Sequence, residues 1–387
     1  MGEPDWWRRE RFGMLAHCSL ASVPAWAPLG QDAGWYRAHV HADAGDLLLQ
    51  PSPLVESLAH HRDRWAHIER YDDFAPFLTF DDFDPDEWTA LARDAGMSYL
   101  VMTAKHHDGW CWWDAPGSDR TVLVEGPGRN VLGEIAAACE RAELGFGTYY
   151  SLLDWADARY PKDPYVDEVV HPHVLDLVDR YGSRMLWGDG HWGGGGGHWR
   201  SDELLANARA IDPGLVANDR WFADSGGVLT YDYVLPDDVV VQPWEHRRGL
   251  GGSLGHNRVE QGEHLLSAHD IVSLLTEVVA KGGHLTLSVG PDASGRLPAA
   301  HAQRLREAGR WVRAHASLLA DAEPWSTWGD ASTRYLTVDG EVHAIDVSGR
   351  SEFPSLAVAA GKVTTVETTE GEPVAFEQTD TGLALCR

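Results

Sequence analysis

The chain has 387 residues, 43 % of them hydrophobic, with 59 acidic against 32 basic side chains and a formal charge of −27. That length suits two or three domains, or one large barrel with an appendage, and the composition excludes a mainly disordered chain. The charge argues against nucleic acid and anionic membrane surfaces as partners, because both would be repelled, and leaves a neutral small molecule or oligosaccharide as the substrate class.

The N-terminus, MGEPDWWRRE, lacks the apolar core of a signal peptide, and no stretch approaches 18 apolar residues, so a soluble cytoplasmic protein is expected. Phe12 to Ala16 is a candidate first strand. Asp86 to Ala95 has helical spacing and stops at Gly96; Ser98 to Ala104 follows as a buried strand. Val131 to Glu143 is helical and Phe146 to Tyr150 a strand. Val166 to Tyr181 places Val170, Val174, Leu177 and Val178 on one face, Gly182 ends it, and Arg184 to Trp187 is the next strand. The pentaglycine Gly193 to Gly197 reads as a mobile loop. Leu204 to Ile211 is helical and precedes the strand Leu215 to Asn218. Leu229 to Val234 reads as a strand or strand end. Ser267 with Asp270 is a capping box opening a helix to Lys281, and Leu285 to Val289 is a late strand.

Helix–strand units repeated over residues 1–323 predict an α/β fold, a (β/α)8-like barrel of parallel strands. No GxGxxG follows a strand, so no dinucleotide site is expected. From 324 to 387 the pattern changes to short strands between turns: Tyr335 to Val338, Val342 to Val347, Ser355 to Ala359, Val363 to Val366 and Gly382 to Leu385. This predicts a small all-β C-terminal domain.

A barrel enzyme works at the C-terminal ends of its strands. The residues there are His17-Cys18-Ser19, Lys105-His106-His107-Asp108-Gly109, Ser151 with Asp154-Trp155, Trp187-Gly188-Asp189-Gly190 and Asn218-Asp219-Arg220-Trp221. Further on lie Asp232 and Trp244-Glu245. Imidazoles and an arginine suit a polyhydroxylated ligand, and paired carboxylates suit glycosidic bond cleavage. The 18 tryptophans fit a sugar site, since an indole face packs against the C–H face of a pyranose, although core packing accounts for most of them. Two rivals stand beside this reading: a non-catalytic carbohydrate-binding chain that keeps the fold and its stacking aromatics, against which the retained Asp189 and a second carboxylate argue, and a metal-dependent hydrolase. The pairs His39-Val40-His41 and His171-Pro172-His173 do not favour it: the first lies beyond the first strand, and side chains at i, i+2 of a helix diverge. The four cysteines form no CxxC, so no metal and no cofactor is expected.

Taken together, RFGMLAHCS, Gly34-Trp35-Tyr36, Tyr71 to Trp110, TYYSLLDW, LWGDG, NDRW and VAKGGHLTLSVGP resemble the retaining α-L-fucosidases of glycoside hydrolase family 29, from about Trp7 to Trp325. The resemblance implies a (β/α)8-like barrel followed by a β-sandwich. It implies that Asp189 is the nucleophile, that Trp187 lines the pocket, and that His17, Trp35, His106, His107, Tyr149 and Arg220 bind the sugar. A carboxylate at a strand end is expected to be exposed and dispensable for stability. Three departures matter: Cys18-Ser19 follows His17 where the family has Trp-Gly, Gly34 stands where it has a sugar-contacting glutamate, and Leu254 where it has an aromatic. They predict weakened or altered selectivity for fucose. Two residues compete for the acid/base role. Asp232 lies 43 residues after Asp189, close to the family separation, and is flanked by Tyr231 and Tyr233; Glu245 matches a family Trp-Glu pair. The sequence does not reveal the oligomeric state.

Overall fold

The computed structural model describes residues 4–40, 55–223, 227–330, 332–347, 352–353, 365–366, 373–379 and 382–385. Eight strands form one sheet: β1 (Phe12–Ala16), β2 (Tyr99–Lys105), β3 (Gly145–Ser151), β4 (Met185–Asp189), β5 (Val216–Ala217), β6 (Leu229–Asp232), β7 (Trp244–Gly249) and β8 (His284–Val289). Their order is β5-β4-β3-β2-β1-β8-β7-β6, with every pair parallel. Each strand lies beside its predecessor. The outermost two, β5 and β6, meet at one parallel bridge, Asn218 with Val228, where Val228 N–H donates to Ala217 O at 2.9 Å. The curled sheet therefore closes at a thin seam, as the predicted barrel requires.

The helices Pro85–Asp94, Val131–Arg141, His171–Tyr181, Ser201–Ile211 and Ala268–Ala280 each cover a connection between strands. Their ends follow local chemistry. Asp84 accepts from the N–H groups of Asp86 and Glu87 beside Pro85, and the Ser267–Asp270 capping box forms as expected, each cap contributing about 1 kcal/mol. Gly182, at φ 64°, ends His171–Tyr181 in the left-handed turn that glycine adopts without strain. The segment Val166–Val170, expected as α-helix, winds as one π turn leading into that helix. Among the described residues no α-helix spans the connections β5–β6 and β6–β7, which leaves β6 half-buried and Val241 almost fully exposed.

Strand alternation sorts the side chains into two sets. Leu100, Met102, Leu186 and Leu287 face outward into the main core beneath the helices. Leu15, Tyr99, Val101, Tyr149, Met185 and Trp187 face the barrel interior, which the N-terminal helix plugs with Trp7. Trp7 stacks on His284 at 4.2 Å between centroids. Tyr99 crosses the interior so closely over β1 that a Cβ on Gly13 would lie 2.1 Å from its ring, which is why glycine stands there. β7 had no apolar signature because its inward residues are Glu245 and Arg247. They sit among buried polar groups rather than in oil, so the strand pattern of WEHRRG is inverted.

Beyond the barrel, β9 (Glu323–Gly329), β10 (Thr333–Val338) and β11 (Glu341–Asp346) form an antiparallel sheet in the order β11-β10-β9. It is tied to the helix Ala268–Ala280 by Arg334–Glu277 at 2.8 Å, and Lys281 lies over the ring of Trp328 at 3.8 Å. A second antiparallel sheet joins β12 (Glu352–Phe353), β13 (Phe376–Thr379) and β14 (Gly382–Leu385). The expected strand Ser355 to Ala359 lies outside the described residues, as do Val363 and Thr364; Thr365 and Val366 are not in a strand.

Candidate active site

The inward positions at the C-terminal ends of neighbouring strands converge. His17 continues the inward row of β1; Tyr149 and Ser151 stand on β3, Trp187 and Asp189 on β4, Asp232 on β6, and Arg247 on β7. Arg220 arrives from the turn Asp219–Trp221 that follows β5.

Asp189 is buried, 4 % exposed, which corrects the expectation of an open strand-end carboxylate. Tyr149 Oη donates to its Oδ2 at 2.7 Å; Arg220 Nη1, at 2.8 Å, and the Gly190 N–H, at 2.9 Å, donate to Oδ1. Burial alone would raise its pKa, but Arg220 first, then the other positive groups facing it and the Tyr149 hydroxyl, outweigh it and hold the carboxyl far below the usual range. Trp187 is the platform beneath: it stacks on Tyr149 at 5.5 Å, and Arg247 and Arg220 lie over its ring at 4.3 and 4.9 Å.

Asp232 shares Arg220 with Asp189, each carboxylate on a different terminal nitrogen, and also accepts from Arg247 Nε at 2.9 Å. One guanidinium therefore bridges the two carboxylates, which face the same mouth. Arg220 does not pair with Asp219. Burial pushes the Asp232 pKa up, but Arg247 and Arg220 win and lower it, against an upward push from Asp189.

Glu245 occupies a different level. It is 1 % exposed, on the second residue of β7, deep in the barrel. It accepts from Trp187 Nε1 at 2.6 Å, Thr286 Oγ1 at 2.7 Å and Tyr99 Oη at 3.0 Å. Burial raises its pKa against those three donors. It pairs with neither Arg247 nor Arg248; its visible task is to hold the Trp187 platform.

The three histidines stand together on the opposite wall. His17 and His106 have centroids 4.8 Å apart, and His106 and His107 4.2 Å. Burial, then Arg247, lowers the His17 pKa to about 3; burial also holds His106 and His107 well below the ordinary value, with His17 and His106 respectively adding to it. All three are neutral imidazoles at physiological pH. His107 Nδ1 is fixed by Ser151 Oγ at 2.6 Å, whereas both His17 nitrogens and His106 Nδ1 have no hydrogen-bond partner among the described residues. Trp35 meets His107 and Trp155 edge-on at 5.2 and 5.4 Å. Trp155 is set by its N–H to His107 O at 2.8 Å, and the buried ion pair of Lys105 with Asp154, at 3.2 Å, ties the β2 and β3 loops.

All ten side chains expected at the site are thus placed, nine around one mouth and Glu245 below it. Three participants were not foreseen. Arg247 lay hidden in the unread strand β7, two residues after Glu245 and so on its face. Trp192 follows the Asp189 strand and packs at 5.5 Å from His107. Asp32, two residues before Gly34, accepts through Oδ1 from Gly34 N at 3.0 Å, Ser253 Oγ at 3.0 Å and Leu254 N at 3.3 Å. A carboxylate therefore stands beside the position where the glutamate is missing. A Cβ on Gly34 would lie 3.1 Å from His17 Nε2 and 3.4 Å from Asp32 Oδ1. Gly34→Glu would press on His17 and bring a second carboxylate against Asp32. It should lower kcat/KM on an α-L-fucoside by about ten-fold or more rather than sharpen it. Steady-state kinetics on the fucoside and on sugars differing at one hydroxyl check this; a gain would show that the slot accepts the side chain.

No group of three or more His, Cys, Asp or Glu side chains is arranged to hold a metal ion among the described residues. His173 is engaged through both nitrogens, with Tyr150 Oη at 3.1 Å and Pro116 O at 3.0 Å, and His171 Nε2 pairs with Trp199 O at 3.0 Å. His39 is buried in a short helix, and His41 lies outside the described residues.

The α-L-fucosidase family pattern matches residues 2–317. The chain is 30 % identical over 344 residues to the α-L-fucosidase of Dictyostelium discoideum, covering 83 % of this chain and 72 % of that one. It is 29 % identical to the tissue α-L-fucosidase of Bos taurus, covering 88 % and 74 %. It superimposes on the crystal structure of Thermotoga maritima α-fucosidase with a TM-score of 0.81 at 29 % identity, covering 99 % and 92 % of the two chains. The same enzyme has been seen in complex with fucose. The chain belongs to the α-L-fucosidase family, glycoside hydrolase family 29.

Proposed function

We propose that the chain is a retaining exo-α-L-fucosidase, with Asp189 as nucleophile and Asp232 as general acid/base. The observation that carries this is the buried, ionised Asp189, held by Tyr149 and Arg220 at the end of β4 within arm's reach of a second carboxylate. Asp189 Oδ attacks the anomeric carbon, forming a C1–O ester as the C1–O bond to the leaving group breaks and its oxygen takes the Asp232 proton. Water then opens the ester, giving its proton to Asp232. The neutral imidazoles of His17 and His106, without protein partners, can donate to and accept from sugar hydroxyls, and no cofactor enters either step.

The electrostatics couple the two steps. Asp189 now pushes the Asp232 pKa up; once esterified, Asp189 carries no charge, so the Asp232 pKa falls. The group is then held in its ionised form, the form that can take a proton from water. The test is hydrolysis of 4-nitrophenyl α-L-fucoside followed by NMR at early times. The expected first product is α-L-fucose, its configuration kept; β-L-fucose as first product would overturn the double displacement.

A further inference from the structure

We propose that the mouth carries a leaving-group subsite for a neutral sugar, built from Trp192, Phe222 and Tyr233; it rests on the fucosidase reading above. Among the described residues four aromatic side chains are exposed, and three of them follow the chemistry directly in sequence. Trp192 comes three residues after Asp189, Phe222 two after Arg220, and Tyr233 one after Asp232; they are 43 %, 43 % and 39 % exposed. Such side chains normally turn inward, as nine fully buried tryptophans in this chain do. Here the backbone works against that. Phe222 and Tyr233 sit at φ 54° and 59°, a region that bulky residues rarely occupy and that concentrates at binding sites.

Trp192 stands over the sugar-binding wall, 5.5 Å from His107 and 6.0 Å from Trp35, and Tyr233, next to Asp232, is held through its hydroxyl by Gly252 O at 3.0 Å. His191 packs between two of the three rings, 5.5 Å from Trp192 and 4.8 Å from Phe222, and brings a hydrogen-bonding imidazole into the apolar rim. Flat rings beside an imidazole match a pyranose, with a C–H face for stacking and hydroxyls at its edge. The charge of −27 disfavours an acidic sugar. The pentaglycine fits the same task. A Cβ on Gly195 or Gly197 would meet nothing within 4 Å, so packing does not demand glycine there; what glycine adds is backbone freedom beside Trp192.

The experiment compares Trp192→Ala and Phe222→Gly with wild type on three substrates: α-L-fucosyl fluoride, 4-nitrophenyl α-L-fucoside and a fucosyl disaccharide ending in a neutral hexose. Both variants replace exposed rings, and thermal melts confirm folding. Because Trp192 also packs on His107, each loss is read as the disaccharide-to-fluoride ratio of kcat/KM: the expected fall in that ratio is about ten-fold with Trp192→Ala and smaller with Phe222→Gly, since the fluoride has no ring to stack. Trp192→Phe should recover most of the loss. Equal losses on fluoride and disaccharide, no loss on the disaccharide, or a loss confined to the aryl substrate would each overturn the sugar subsite while leaving the fucosidase reading intact. A wild type that cleaves none of the three, but binds the disaccharide more tightly than free fucose through Trp192, would overturn the hydrolase and keep the subsite.

Discussion

Asp189→Gly is expected to cut hydrolysis of 4-nitrophenyl α-L-fucoside by at least about a thousand-fold, because no other group can form the ester at the anomeric carbon. Sodium azide should restore turnover by entering the vacated space. Attacking from the face opposite the leaving group, it forms a C1–N bond as the C1–O bond breaks, and the product is β-L-fucosyl azide. The substitution also touches folding. Asp189 is buried and bonded to Tyr149, Arg220 and the Gly190 N–H, so its loss strands donors. Arg220 keeps Asp232 as partner, which confines the cost to about 1–3 kcal/mol rather than that of an abandoned buried charge. A melting curve shifted down but still cooperative, with azide-rescued turnover, is the expected pair of results. Residual activity above a tenth of wild type, or azide product of retained configuration, would remove Asp189 from the nucleophile's role.

The two carboxylates show how far the sequence could be read. β1 to β4 were legible because their outward faces are apolar and helices with clear caps separate them, so His17, His106, His107, Tyr149 and Asp189 followed by counting strand ends. The second half of the barrel obeys different physics. β5 is two residues long, two connections carry no α-helix among the described residues, and β7 points Glu245 and Arg247 into an interior of hydrogen bonds. A pattern search for apolar alternation passes over such a strand, and with it went the ion pair from Arg247 that sets the charge of Asp232. Asp32 was missed for another reason. Its role is defined by an empty space at Gly34 and by main-chain donors from a loop more than 200 residues away, neither of which has a local signature.

Asp232→Ala and Glu245→Ala should fail in opposite ways. Asp232 lies at the mouth, its side chain 29 % exposed, and its two arginines keep other contacts: Arg220 its bond to Asp189, Arg247 its place over Trp187. Asp232→Ala should therefore fold. It should lose about 100- to 10,000-fold on a disaccharide, whose leaving oxygen needs a proton, and far less on the fucosyl fluoride, which needs none. Azide should rescue it by attacking the fucosyl ester of Asp189, and two successive inversions give α-L-fucosyl azide. Glu245→Ala would leave Trp187 Nε1 buried without an acceptor and Tyr99 Oη and Thr286 Oγ1 with only each other, 2.6 Å apart, a cost of about 2–4 kcal/mol, and should lower the melting temperature with no azide rescue on any substrate. The pH profile separates the two as well. Arg247 and Arg220 outweigh the burial of Asp232 and hold its pKa below the ordinary value of about 3.9, so its acid form thins as pH rises. Wild-type kcat/KM on the disaccharide should then fall about ten-fold per unit between about pH 5 and 8, while the fluoride, needing no acid, stays nearly flat. Asp189, held ionised far below that range, adds no acid limb above about pH 4. An alkaline limb that survives Asp232→Ala but vanishes in a folded Glu245→Gln would transfer the acid/base role to Glu245.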